Sequence, residues 1–210
     1  MTNSLAPDQE RRAAPAGKRE RLVAAARQMF HEQGVEKTSL ADIAGRAGVP
    51  VGNVFYYFKT KDALVAAVVA GYENARVALG QALDRRRTPQ ARLKALIRDL
   101  ADRRDSLAAH GCPVGSLACE LGKRDDALHG QAAGVLSGLI GWAQQQFEAM
   151  GRGDARELAV ALVAAYEGVS LLANALADPG LITAESRRLE RWIDALASEA
   201  TPAESTSSAS

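Results

Sequence analysis

Residues that serve catalysis, metal binding and cross-linking are scarce in this chain. It has 2 cysteines and 3 histidines among 210 residues, and His31, His110 and His129 are scattered along it. No predicted helix offers paired carboxylates or the spacing of metal ligands. We therefore expect a protein that is not an enzyme and that holds no metal or cofactor.

Aromatic residues are also few, at 5% of the chain. The alternation of apolar and polar residues that marks half-buried strands is absent. Hydrophobic residues nevertheless make up 47%, enough for a sizeable core, and the excess is alanine and leucine. Because these two residues favour helix, the composition predicts an all-α protein.

An export signal is missing as well, since residues 1–16 contain no apolar segment. With only two cysteines, this indicates the reducing cytoplasm and no disulfide framework. The run Leu158–Ala177 is long enough to raise the question of a membrane span. It is rich in alanine, however, and Glu167 and Asn174 interrupt it. We expect a buried helix of a soluble protein there, and no membrane partner.

The chain has no large excess of positive charge, since its net charge is +1. This argues against a protein that coats DNA without sequence preference, which must neutralise many phosphates. The distribution is uneven: residues 1–61 contain 10 Lys and Arg against 6 Asp and Glu, and residues 62–210 contain 16 against 19. A basic first third on a mildly acidic body is typical of a nucleic-acid reader joined to a sensor or dimerisation domain.

The apolar periodicity predicts nine helices between breaks rich in Gly, Pro and charge. Residues 1–17 are expected to form a disordered basic arm and residues 200–210 a disordered tail. The predicted helices cover about residues 18–33, 39–48, 51–57, 60–84, 89–110, 113–121, 127–150, 155–177 and 183–198.

Residues 39–61, SLADIAGRAGVPVGNVFYYFKTK, predict two short helices joined by a tight turn. Ser39 can cap the first helix, with Asp42 as its capping-box partner. Gly48 suits the left-handed position that ends this helix, and Pro50 suits the start of the next. The second helix leaves a small and aromatic outer face beside two lysines. A short helix of this kind is how a helix-turn-helix enters the major groove of DNA.

This stretch resembles the DNA-binding domain of TetR-family transcriptional regulators. The string T-S-L-A-D-I-A-x-x-A-G-V-x-x-G-N-x-x-Y-Y-F-K-T-K-D-x-L matches that family's signature from Thr38 to Leu64. The resemblance implies a DNA-binding domain over residues 18–64, with its motif at 39–58, and a ligand-binding and dimerisation domain over 65–199. It also implies a homodimeric repressor that binds a palindromic operator in double-stranded DNA and is released by a small-molecule inducer.

The resemblance also implies DNA contacts, position by position. The residues concerned are Thr38, Ser39, Val51, Gly52, Phe55, Tyr56, Tyr57, Lys59 and Lys61. Lys18, with Arg11 and Arg12 upstream, can lie against phosphates as part of the basic arm. Many relatives have Tyr in place of Phe55 and a polar residue near Val51. Base readout is therefore expected to be apolar, towards thymine methyl groups.

Glycine recurs every four residues in the predicted helix over 127–150, and the next helix carries small and apolar residues at similar spacing. Such a stripe lets helices approach closely. Two explanations stay open: ordinary packing within one protomer, and isologous four-helix packing across a two-fold axis that would match a palindromic operator. The candidate interface residues are Gly130, Gly134, Gly138, Ala161, Ala165, Gly168 and Leu172.

The segment GCPVGSLACEL, residues 111–121, resembles the GC-x-x-G-x-L-A-x-E-L block of a subset of TetR-family regulators. Cys112 is expected at a helix N-terminus near His110, and both features lower the pKa of a thiol. Either Cys112 senses electrophiles or oxidants, as some of that subset are thought to do, or it is a buried small hydrophobe. Cys119 lies about 10 Å further along a helix axis, too far for a disulfide with Cys112.

A ligand cavity is expected among the helices of the second half of the chain. Trp142 and Tyr166 each combine an apolar body with one polar group, which suits the orientation of a small organic molecule. The same residues could equally be plain core. The candidate lining residues are Leu96, Leu100, Leu107, Cys112, Trp142, Phe147 and Tyr166.

Overall fold

The structure, a computed structural model, describes residues 17–123 and 127–199, and the all-α prediction is confirmed there. Those two ranges contain ten helices and no strand. The predicted arm, with Arg11 and Arg12, and the predicted tail lie outside the described residues, except for Gly17. The helices are α1 Lys18–Gln33, α2 Leu40–Ala47, α3 Val51–Tyr57, α4 Lys61–Asp84, α5 Pro89–Asp102, α6 Arg104–His110, α7 Pro113–Gly122, α8 Ala127–Ala149, α9 Ala155–Leu176 and α10 Gly180–Glu199.

The predicted caps of the helix-turn-helix are confirmed. The Ser39 hydroxyl accepts a hydrogen bond from the Asp42 amide at 3.1 Å, and the Asp42 carboxylate accepts one from the Ser39 amide at 3.0 Å. Gly48 ends α2 with φ 62° and ψ 39°, in the left-handed region that glycine adopts most readily. These local interactions fix the chain direction between α2 and α3.

One apolar core contains residues from both sides of the predicted domain boundary at residue 64. Helices α1 to α4 contribute most of it, and α7 and the first part of α8 complete it. The helix-turn-helix therefore packs directly on the rest of the protomer rather than on itself alone. The buried members that show this are Leu22, Ile43, Val54, Phe58, Leu64, Leu117, Leu121 and Val135.

The other half of the protomer has two further apolar clusters. The larger one lies between α4, α5, α8, α9 and α10, and the smaller one lies where α5, α6, α9 and α10 meet. Because α4 contributes to the first core and to the larger of these clusters, it runs through both halves of the molecule.

The predicted helix over 89–110 is two helices, which accounts for a tenth element. Arg103 breaks it with φ −99° and ψ 9°, and its guanidinium donates to the Asp99 carbonyl oxygen at 3.2 Å and to the Asp99 carboxylate at 2.5 Å. Beyond the break α6 packs on α9, whereas α5 packs on α10. No Gly or Pro marks this position, so the redirection comes from tertiary packing.

Two details of helix starts also differ from expectation. Asp154 precedes α9 as predicted, but its carboxylate accepts from Arg152 at 3.0 Å instead of capping the helix. Helix α10 begins at Gly180 rather than near residue 183, because the Asp178 carboxylate accepts a hydrogen bond from the Gly180 amide at 2.8 Å.

Candidate functional site

Helix α3 presents an apolar face to solvent. Val51, Phe55 and Tyr56 are 46%, 51% and 77% exposed, and a side chain added at Gly52 would meet nothing within 4 Å. On the opposite side Val54 is buried in the first core. We call Val51, Gly52, Phe55 and Tyr56 the reader face, since residues four apart lie on one side of a helix.

Polar groups surround the reader face. Lys59 and Ser39 are exposed, and Lys18 is exposed at the start of α1. The half-buried ring of Tyr57 meets the Tyr56 ring edge-to-face, with centroids 5.0 Å apart. Of the residues predicted for DNA contact, Thr38 is buried and Tyr57 and Lys61 are half-buried, whereas the others lie on accessible surface.

Thr38 is the exception that corrects the prediction. It is only 1% exposed, and its hydroxyl donates to the Gly34 carbonyl oxygen at 2.7 Å while accepting from the Gln33 side chain at 3.1 Å. A side chain enclosed and bonded in this way holds the α1–α2 turn together and is not available to a phosphate.

A cavity of about 270 Å³ lies among α4, α5, α7, α8 and α9. Its apolar wall includes Leu96, Val135 and Leu139, and its polar wall includes Tyr166 and Glu167. Of the seven predicted lining residues, three therefore line it: Leu96, Cys112 and Tyr166. Its opening towards α1 is shared with a wider groove between α1, α4 and α6.

The other four predicted lining residues lie elsewhere. Leu100 and Phe147 are fully enclosed in the packed clusters, and Leu107 borders the wider groove. Trp142 belongs to the larger cluster, and its indole N–H donates to the Asp84 carboxylate at 3.2 Å. Its polar group is thus used within the protomer, so these four residues are core or groove residues rather than cavity lining.

Cys112, Tyr166 and Glu167 lie together on the wall of the cavity, in a group that we call the buried cluster. Cys112 caps α7 as predicted, and its sulfur accepts from the Gly115 amide at 3.4 Å. The predicted lowering of its pKa is wrong. Burial first, and then the neighbouring Glu167 carboxylate, raise the pKa of Cys112 to about 12.

Burial also raises the pKa values of Tyr166 and Glu167, because the charged form of each group would lose hydration. The Oε1 atom of Glu167 is buried and accepts no hydrogen bond from the described residues. On its other side the carboxylate lies so close to Gly115 that a Cβ there would overlap it. The cluster therefore brings one unsatisfied acceptor to the cavity wall.

Sequence reasoning missed Glu167 and two arginines at the opening of the cavity. Glu167 was visible only as the single acid in an apolar run. Arg27 lies over the Tyr72 ring at 4.5 Å from its centroid, and Arg103 lies beside it at the same opening. No local pattern could join residues 27, 72 and 103, because they lie on α1, on α4 and at the break between α5 and α6, and they meet only in the folded protomer.

Helices α8 and α9 expose a second apolar face. Leu171 and Leu172 are 67% and 54% exposed, and Val160, Ala161 and Leu176 are exposed nearby. A Cβ added at Gly130, Gly134 or Gly168 would meet nothing within 4 Å. Six of the seven predicted interface residues are thus exposed or half-buried on α8 and α9, although Ala165 also packs against the larger cluster.

Gly138 is the seventh, and a side chain at this position would face Arg76 of α4 instead of solvent. A Cβ at this position would come within 2.7 Å of the Arg76 guanidinium, and Arg76 donates to the Gly138 carbonyl oxygen at 3.4 Å. Gly138 therefore lets α4 approach α8 within the protomer, which corrects the prediction that it belongs to the interface stripe.

Two family profiles match the chain, and together they cover most of it. Residues 22–68 match "Bacterial regulatory proteins, tetR family", and residues 89–188 match "Transcriptional regulator LmrA/YxaF-like, C-terminal domain". The chain belongs to the TetR family of transcriptional regulators. Regulators of this family are DNA-binding proteins and not enzymes, as the sequence predicted.

Curated relatives agree with the family. The chain is 29% identical over 111 residues to an HTH-type transcriptional regulator of Lactococcus lactis, and 34% identical over 68 residues to the repressor KstR2 of Mycolicibacterium smegmatis. These matches cover 51% and 32% of this chain, but only 57% and 32% of the relatives' lengths. The regulator TtgR of Pseudomonas putida is 27% identical over 84% of this chain and 88% of its own.

Solved structures share the fold. A TetR-family regulator of Legionella pneumophila has a TM-score of 0.77 at 19% identity, covering 86% of this chain and 97% of its own. The reduced form of Escherichia coli NemR has a TM-score of 0.70 at 20% identity, covering 83% and 96%. At this level of identity the likeness establishes the helical architecture of this TetR-family chain.

The environment of Cys112 predicts a slow reaction with alkylating agents. At pH 8 a thiol with a pKa of about 12 is almost entirely protonated, and the thiolate is the nucleophile. In native protein treated with iodoacetamide, we expect Cys112 to react at least a hundredfold more slowly than in denatured protein, as followed by mass spectrometry of its peptide. Native and denatured rates within tenfold of each other would contradict the burial described above.

Proposed function

We propose that this TetR-family regulator is a cytoplasmic homodimeric repressor that binds a palindromic operator and is released by a small-molecule inducer. The observation that carries the proposal is the reader face. Three large apolar side chains stand exposed on one short helix beside a lysine, where burial against a partner would remove them from water.

The shape of the reader face supports the major groove as that partner. Gly52 leaves room for the α3 backbone to approach base edges, and Val51 and Phe55 can contact thymine methyl groups. The Tyr56 hydroxyl and the Lys59 ammonium lie at the edge of the face, where phosphates would pass. The buried side of α3 keeps this arrangement rigid before DNA arrives.

Removing one phosphate contact tests this interface. We expect Lys59→Ala to weaken binding to a duplex selected by the wild-type protein from a random library. The slope of log K against log salt concentration should become shallower by about 1, because one fewer counterion is released. Lys94→Ala is the matched control, since Lys94 of α5 pairs with Asp194 of α10 at 2.8 Å and neither helix contributes to the core around the reader face. Equal losses in both variants would contradict the assignment.

The exposed face of α8 and α9 supports the homodimer. Its leucines would otherwise remain in water, and its glycines allow the close approach that a four-helix interface needs. An isologous interface of this kind places two reader faces on the same side of a two-fold axis. Two such faces match two half-sites about 34–36 Å apart in a palindrome.

A charge placed on this face should separate the protomers. We expect Leu172→Glu to be monomeric in sedimentation velocity at micromolar concentration, because the buried carboxylate would lack a partner. Val77→Glu, which replaces another exposed apolar residue on α4, should remain dimeric. The interface is wrong if both variants dissociate or if neither does.

The cavity supports the inducer. Apolar walls with a few convergent polar groups are typical of sites for small organic molecules. The free acceptor of Glu167, together with the Tyr166 hydroxyl, supports a ligand that carries a hydrogen-bond donor on an apolar frame. Such a ligand would satisfy an atom that has no protein partner among the described residues.

Helix α4 connects this cavity to the reader. Its first half packs in the first core, and Tyr72, Ala75, Arg76 and Leu79 border the cavity. A ligand that binds better to a form with a displaced α4 would change the spacing of the two reader faces. The change in operator affinity cannot exceed the ligand's preference for that form.

Filling the cavity should remove the response to ligand. Compounds from a fragment library that raise the melting temperature of the wild-type protein should leave that of Leu139→Trp unchanged. Val77→Trp, which adds the same ring on exposed surface, should respond like the wild type. A compound that shifts the melting temperature of Leu139→Trp fully must bind elsewhere, which would contradict a ligand site in this cavity.

Solubility in the cytoplasm is part of the proposal. Helices α4 and α9 have the length and apolar composition of membrane spans, with mean hydropathies of 1.2 and 1.6 over 18 residues. The core helix of a soluble protein passes the same test, and both helices contribute buried residues to the clusters described above. The exposed apolar part of α9 is accounted for by the proposed dimer.

A further inference from the structure

A carboxylate on α7 is hydrogen-bonded to the turn that precedes the helix-turn-helix. Glu120 Oε2 accepts a hydrogen bond from the Val35 amide at 2.9 Å, and Oε1 accepts one from the Glu36 amide at 2.8 Å. Both oxygens are thus bonded to successive peptide groups of the α1–α2 turn, 84 and 85 residues earlier in the chain. Hydrogen bonds to a charged acceptor are among the stronger ones in proteins.

The glycine at the start of the turn leaves space for this carboxylate. Gly34 has φ 86°, and a Cβ there would come within 3.0 Å of Glu120 Oε2. Glycine therefore permits both the backbone conformation and the close approach of α7. From Gly34 the chain runs directly to Ser39, which caps α2, so the position of the turn sets where α2 begins.

The backbone of Glu36 is hydrogen-bonded through both its N–H and its C=O. Its amide donates to Glu120, and its carbonyl oxygen accepts from the Lys61 ammonium at 3.4 Å. Lys61 is the first residue of α4 and one of the residues predicted to contact phosphate. The position of Glu120 is therefore connected, through the backbone of a single residue, to a basic residue that is predicted to contact DNA.

A second contact ties the beginning of α7 to α1. His31 Nε2 lies 2.9 Å from the Gly111 carbonyl oxygen, and the rings of His31 and His110 meet edge-to-face at 5.3 Å. Between these two attachments, Leu117 and Leu121 of α7 are buried in the first core. Helix α7 is thus fixed to the end of α1 and to the turn that follows it.

The same helix borders the cavity. Its cap Cys112 belongs to the buried cluster, and Gly115 lies against the Glu167 carboxylate. Ten residues therefore extend from the cavity wall to the turn before α2. A displacement at one end of so short a helix would be felt at the other, because a packed helix moves as a rigid element.

We propose that Glu120 is a positioning residue for DNA recognition, which holds the α1–α2 turn and Lys61 in register with the body of the protomer. Its carboxylate makes no contact with DNA in this scheme; it acts through the Val35 and Glu36 amides. The proposal goes beyond the inducer and the dimer, and it rests only on DNA binding by the helix-turn-helix.

The test compares Glu120→Gln with Glu148→Gln. Glu148 lies on α8, where its carboxylate accepts from Gln144 at 2.8 Å within the same helix. An amide at position 120 keeps one acceptor oxygen but turns an NH₂ group towards the second peptide N–H. We expect Glu120→Gln to bind the selected duplex about tenfold more weakly than the control, since a charged hydrogen-bond pair is lost.

Hydrogen exchange supplies a readout that DNA binding alone does not. The amides of residues 35 and 36 should exchange at least tenfold faster in Glu120→Gln than in the control, whereas amides in the middle of α8 and α9 should be unchanged. This measurement is made without DNA. If the wild-type protein selected no duplex at all, the proposed function would fail while the Glu120 anchor could still be confirmed.

Glu120→Asp decides the result if the glutamine variant folds poorly. It retains the charge, but its side chain is shorter by one methylene and cannot reach both amides without moving α7. Loss of duplex affinity with normal thermal stability supports positioning. Unchanged affinity and exchange in both variants overturn the proposal. So does a uniform loss of protection throughout the protomer, which would assign Glu120 to general stability.

Discussion

Recognition depends on a helix that cannot hold itself in place. Helix α3 has seven residues, far fewer than an isolated helix needs to be stable in water. Its conformation comes from burying Val54 and Phe58 in a core that also contains α7 and α8. The exposed apolar side chains of α3 are thus oriented by apolar side chains on its other face, and any shift in that core shifts the reader.

This constraint explains why polar groups are placed as they are between the two halves of the protomer. The thiol and the carboxyl at the cavity wall have raised pKa values chiefly because burial removes hydration from their charged forms. At the other end of α7, Glu120 lies among peptide N–H groups that satisfy both of its oxygens. Among the described residues, Glu167 still has one oxygen free to accept a hydrogen bond from the proposed inducer, whereas both oxygens of Glu120 are already bonded to the backbone.

The sequence predicted the all-α class and the helix-turn-helix because those features are local. Capping residues, a left-handed glycine and a 3.6-residue period each act within a few positions, and the Ser39 and Gly48 geometry is confirmed. Features that depend on contacts between distant residues were harder to predict from the sequence. The Thr38 hydroxyl and the Trp142 indole N–H are bonded within the protomer, and Gly138 lies against Arg76. In each case the partner lies on another turn or helix, which no local sequence pattern indicates. The break at Arg103 has no sequence signal for the same reason.

Two helices, α4 and α7, join the cavity to the reader, and their roles differ. Helix α4 is continuous from Lys61 past the cavity, so a displacement of α4 at the cavity would also move Lys61. Helix α7 is short, and Glu120 bonds it to the turn before α2. In the proposed scheme this bond resists displacement of α2 and α3 relative to the rest of the protomer. A ligand that moves only α4 would have to strain the α7 attachment. Operator binding would change the affinity for the ligand by the same factor, because the coupling free energy between two sites is reciprocal.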